Sequence, residues 1–173
     1  MARYVALLRG INVGGITIRM ADLKDVFTGL GYDGVHTVLA SGNVVFDAEE
    51  TDRVALKSEI EKALGSRFGY EAFVFVFEQA SFADLADACP FEENQDDRHT
   101  YVVFVADPDA RAELLDIAVD PRSEAIEPGD GVVYWQVVKG STLGSPFGKA
   151  TGRARYKSVT TTRNMRTIRK LQG

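Results

Sequence analysis

The chain has 173 residues, 45% hydrophobic and 26% charged, with a formal net charge of −5. That suits one ordinary domain or two small ones with a real core, and excludes global disorder. No window reaches the ~18 consecutive apolar residues that span a bilayer, and the N-terminus lacks the basic, apolar and small-residue order of a signal peptide, so a cytoplasmic chain with no membrane partner is expected.

Cys89 is the only cysteine, which rules out an intrachain disulfide. His36 and His99 are the only histidines, too few and too scattered with one cysteine for a standard structural zinc site. Neither a metal nor a cofactor is expected. The charge is unevenly placed. Residues 1–130 carry all 25 acids and 11 bases, while residues 131–173 carry nine bases and no acid. Such a split suits either an anionic partner for the C-terminal part or an internal match to the acidic part.

In chain order, Arg3–Leu8 reads as a buried strand, and the glycines of residues 10–15 break it. Met20, Leu23, Val26, Phe27 and Leu30 mark one face of a helix that Gly31 ends. Val35–Leu39 and Val44–Phe46 flank the turn Ala40-Ser41-Gly42-Asn43. Thr51 is placed as the cap of a helix that buries Leu56, Ile60, Ala63 and Leu64, and Glu71–Phe77 is the next strand. This order, β-α-β-β-α-β, is the ferredoxin-like unit. Ser81-x-x-Asp84 opens a short helix with a capping-box pattern, and Cys89–Arg98 reads as an acidic linker.

The order then recurs. Tyr101–Val105 is a strand, and Asp107-Pro108 starts a helix with Asp as cap. Glu124–Ile126 and Val132–Val138 flank the turn Glu127–Gly131. Residues 140–160 give no clear pattern. A helix is expected from about Thr162 to Leu171, with Arg163, Arg166, Arg169 and Lys170 on a basic face. The fold class is therefore α+β, two related ferredoxin-like β-α-β-β-α units with mostly antiparallel sheets. The expected boundaries are 1–78, a short helix and linker over 79–98, and 99–173.

Three segments could hold a ligand. The loop GINVGGIT, Gly10–Thr17, has the glycines and final threonine of a phosphate-binding P-loop, but Ile16 stands where the lysine belongs and the helix starts late. It is no P-loop. It reads either as a turn whose glycines supply positive φ, or as an anion-binding loop using Arg9, Asn12 and backbone amides. Ser41-Gly42-Asn43 reads as a turn or as polar donors. The loop after the first strand and the first hairpin are placed at opposite ends of the sheet, so Arg9/Asn12 and Ser41/Asn43 are not expected to meet. Thr162, Arg163 and Asn164 are placed at the start of the last helix, where the helix dipole disfavours a cation by roughly 0.3–1 kcal/mol and an anionic ligand would reverse that sign. No catalytic set stands out. Cys89 lacks an electropositive setting, and no serine sits in a nucleophile elbow.

ALLRGINVGG at 6–15, Met20 at the helix start, SGNVVF at 41–46 and TTRN-x-R-T at 161–167 followed by Lys170-Leu171 resemble the bacterial domain of unknown function 1697 family. The resemblance runs in order from Ala6 to Leu171. It implies a cytoplasmic α+β protein built by internal duplication, with no established activity. It singles out Arg9, Asn12, Gly14, Gly15, Ser41, Gly42, Asn43, Thr162, Arg163 and Asn164. The chain departs from the family at Met165, where a tryptophan is usual, and at Ser141-Thr142, where a Ser-Lys pair is common. The leading expectation is a binding module for a phosphate-bearing ligand, a nucleotide or nucleic acid. The alternatives are an enzyme using Asn12, Ser41 and Asn43 as polarising donors, and a protein-interaction or self-association module.

Overall fold

Tyr4–Leu8 is an unbroken apolar run, and all five residues are buried, as befits a central strand covered on both faces. They lie in β1 (Ala2–Leu8) of the computed structural model, which describes residues 1–12, 16–93 and 95–173. The chain forms two units: Met1–Phe82 together with Lys170–Gly173, and Ala83–Arg169.

In the first unit β1 is followed by α1 (Met20–Gly29), β2 (Asp33–Thr37), β3 (Asn43–Ala48), α2 (Arg53–Phe68) and β4 (Val74–Glu78). The sheet order is β2-β3-β1-β4, and every neighbouring pair is antiparallel. This is the ferredoxin-like arrangement. Leu23 and Phe27 of α1 and Leu56, Ile60 and Leu64 of α2 form one core with Tyr4, Leu8, Val44 and Phe46 of the sheet. Burying each large apolar side chain contributes roughly 1.5–3 kcal/mol. Gly31, at φ +90°, follows the end of α1. The cap of α2 is Asp52, not Thr51: its carboxylate accepts from the Val54 N–H at 2.9 Å. The short helix α3 (Ser81–Asp87) also differs from the capping-box reading, since the Ser81 hydroxyl donates to the Glu78 carbonyl at 2.8 Å.

The second unit repeats the plan with β5 (Arg98–Val105), α4 (Pro108–Leu115), β6 (Glu124–Gly129), β7 (Val132–Val138), α5 (Pro146–Thr151) and β8 (Thr160–Asn164), in sheet order β6-β7-β5-β8. All its pairings are antiparallel. Asp107 caps α4 by accepting from the Asp109 N–H, with Pro108 at the first helical position. The expected C-terminal helix is shorter than its pattern suggested. Thr160-Thr161-Thr162 is β-branched and joins the sheet as β8. The helix α6 starts only at Met165 and runs to Leu171.

The segment 140–160 is organised by a buried carboxylate. Glu124 is fully buried; it accepts from the Trp135 indole N–H at 2.9 Å and from the Phe147 N–H, in the first turn of α5, at 3.2 Å. The Ser145 hydroxyl caps the same turn by accepting from the Gly148 N–H at 3.1 Å. A Cβ at Gly148 would lie 1.8 Å from the Thr142 carbonyl oxygen, so only glycine lets the two backbones approach. Gly148→Ala is expected to lower stability by about 1–3 kcal/mol, the usual cost of overpacking, read as a lower urea midpoint with an unchanged slope.

Candidate functional site

The end of β1 and the β2–β3 hairpin lie together, contrary to the opposite-ends expectation. The chain rises along β1, descends α1 and rises again along β2, so the loop after β1 and the following hairpin share one end of the sheet. The Leu8 N–H donates to the Gly42 carbonyl at 2.8 Å. Asn12, at φ +59°, ties the two segments. Its Nδ2 donates to the carbonyls of Ala40 at 2.8 Å and Ile18 at 3.0 Å, and its Oδ1 accepts from the Ile18 N–H at 2.8 Å. Asn43 Nδ2 donates to the Val38 carbonyl at 2.8 Å and to the Ser41 hydroxyl at 2.9 Å. Gly42, at φ +87°, leaves no room for a Cβ, which would sit 2.9 Å from Leu8 and Ile11 side-chain atoms. Asn12, Ser41, Gly42 and Asn43 therefore converge, but the bonds of both asparagine side chains serve to hold loops. Gly14 and Gly15 lie outside the described residues.

Thr162, Arg163 and Asn164 do not form the first turn of a helix. They end β8, where Arg163 pairs with Val102 and is buried. Arg163 Nη1 donates to the Thr161 hydroxyl at 2.7 Å and to the Thr162 carbonyl at 2.9 Å. Asn164 is the residue at the helix start: its Oδ1 accepts from the Thr167 N–H at 2.8 Å and from the Thr167 hydroxyl at 3.0 Å. A side-chain cap thus occupies the position that the sequence reading gave to an anion.

The strand-to-helix junction at Asn164 opens a groove of 410 Å³ in the second unit. On the β7 side, β5 is paired from Arg98 to Phe104; on the β8 side it is paired only from Tyr101 to Val105. The edge of β5 at Arg98–Thr100 is left without β8. Arg98 and His99 line the groove from β5, Lys139 from the end of β7, and Arg166 and Arg169 from α6. Arg169 is answered internally. Its Nη2 donates to Glu93 Oε1 at 2.7 Å, and its Nη1 lies 3.5 Å from Asp87 Oδ1. The hydrogen bond to Glu93 pushes the Arg169 guanidinium up from its ordinary range. Among the described residues, Arg98, Lys139 and Arg166 make no ion pair. Arg98 Nη2 donates only to a carbonyl, that of Arg122 at 3.3 Å, and Glu93, the carboxylate lining the groove, is held by Arg169. Three cations without an ion pair on one concave surface repel one another and favour an anion.

Sequence reading missed Arg98, which it placed at the end of the acidic linker Cys89–Arg98. The signal was non-local: the β5–β7 register sets Arg98 opposite Val138, which brings it beside Lys139. Burial pushes the Cys89 thiol up, which disfavours a reactive thiolate. Among the described residues, no group of three or more His, Cys, Asp or Glu could hold a metal ion, and no helix is long and apolar enough to cross a membrane.

A family model described as a protein of unknown function (DUF1697) matches residues 1–134. A conserved bacterial protein from Streptococcus pneumoniae has a similar solved structure, with a TM-score of 0.83 and 21% identity, covering 99% of this chain and 97% of that one. At that identity the likeness shows the fold. An unknown protein from Galdieria sulphuraria aligns over 94% of this chain and 96% of its own, at 13% identity and a TM-score of 0.28. No curated protein matches the chain.

The structural role of Asn12 has a direct consequence. Asn12→Ala removes three hydrogen bonds, and a net loss of roughly 1–3 kcal/mol is expected in urea unfolding.

Proposed function

The chain belongs to the DUF1697 family of proteins of unknown function, and from that premise we propose that it binds a phosphate-bearing ligand, a nucleotide or nucleic acid, in the groove of the second unit. The observation that supports this reading is the set of three cations, Arg98, Lys139 and Arg166, facing one groove without a carboxylate partner. Among the described residues the one carboxylate that lines the groove, Glu93, is taken up by Arg169. The two guanidinium groups offer paired donors to phosphate oxygens, and Lys139 adds a point charge. The groove falls within the roughly 300–1,000 Å³ range of small-molecule sites. The ring of His99 offers a flat face for a base in the same groove.

Binding of nucleotides and a labelled single-stranded oligonucleotide, measured by titration at several salt concentrations, tests this. Lys139→Ala and Arg166→Ala are each expected to weaken binding while leaving the unfolding midpoint of the free protein nearly unchanged. For a single strand touching three cations, log affinity should fall against log salt with a slope of about −2. No binding to any member of the panel, or binding indifferent to both substitutions and to salt, would contradict the proposal.

A further inference from the structure

Arg9, at the end of β1 in the first unit, is a cation with no internal answer. Its Nε is sealed from solvent and has no hydrogen-bond partner among the described residues. Among the described residues no carboxylate pairs with it. The nearby asparagine side chains close on other groups: Asn12 on Ile18 and Ala40, Asn43 on Val38 and Ser41. The side chain as a whole is only partly buried, and its Nη nitrogens are not among the sealed atoms. The Nε end is thus buried while the fork at the tip keeps solvent access. Among the described residues, a Cβ at the adjoining Gly10 would meet nothing within 4 Å, so the backbone at the end of β1 is not crowded there.

Desolvating a guanidinium without an acceptor is unfavourable, and burial lowers the pKa of this one. An anion at the solvent-accessible end of this side chain would offset that cost by supplying the opposite charge. We infer that the end of β1 is an oxyanion-binding position, in which the two Nη groups of Arg9 engage two oxygens of a phosphate or carboxylate. This position is independent of the groove in the second unit and does not rest on the proposal made for it.

The test follows the side-chain resonances of Arg9 by nuclear magnetic resonance in a Lys139→Ala/Arg166→Ala background, which removes two cations of the groove. Inorganic phosphate and acetate are titrated separately. A saturable shift of the Arg9 signals is expected. Phosphate alone, acetate alone or both giving that shift supports the position and names its chemistry. In the same background Arg9→Met should lose the rise in unfolding temperature that the active anion gives, and Arg9→Lys should bind it about tenfold more weakly, since a single ammonium replaces the planar fork. Without anion, Arg9→Met should unfold no earlier than its parent, because an uncompensated charge has been removed. Arg9 signals that ignore both anions would overturn the inference, and this readout does not depend on any Arg9 variant folding.

Discussion

One hydrogen bond, from the Thr167 N–H to Asn164 Oδ1 at 2.8 Å, fixes where β8 stops and α6 begins. The geometry of the second unit's groove depends on that junction. Were β8 to continue, it would cover the edge of β5 at Arg98–Thr100. Because it turns into a helix at Met165, the edge stays open and α6 carries Arg166 and Arg169 to its side. The threonines before the junction favour a strand, and the asparagine after them favours a helix start. Three-dimensional position and local preference agree there.

The basic C-terminal stretch is partly answered within the second unit. Arg169 pairs with Glu93 and Asp87, and Arg155 pairs with Glu113. These pairs are exposed and each contributes little to stability, on the order of 0–1 kcal/mol. Their importance is selective. They remove two cations from the pool that an outside anion could meet, while at the groove Lys139 and Arg166 stay without an ion pair, joined by Arg98, which the β5–β7 register sets beside Lys139 at the same end of the sheet. A count of charges along the chain could not separate the two groups, because the partners of Arg155 and Arg169 lie 42 and 76 residues away.

Where the signal was local, it was legible in the sequence. The apolar spacing from Met20 gave α1, the polar turn at Ala40–Asn43 gave the first hairpin, and Asp107-Pro108 gave the start of α4. The repeat of the ferredoxin-like plan followed from element order alone. Local ambiguity caused the smaller misses: Thr51 and Asp52 are both good caps, and only Asp52 reaches the Val54 N–H. Two larger misses were non-local. The α5 segment is held by Glu124, whose partners Trp135 and Phe147 lie far along the chain. The placement of Asn12 relative to Ser41–Asn43 required following the chain up, down and up again, and the contact of Leu8 with Gly42 shows the outcome. The candidate site was the least legible part, since it is assembled from the start of β5, the end of β7 and the turn into α6.

The most direct measurement is an amide-resonance map of the folded protein during titration with pyrophosphate, a probe that carries phosphate chemistry without a base or sugar. If the groove is the phosphate site, the shifts should be saturable and centre on Arg98–Thr100, Lys139 and Asn164–Arg166. Shifts that are absent, or that saturate elsewhere while these residues stay still, would contradict the assignment of the groove.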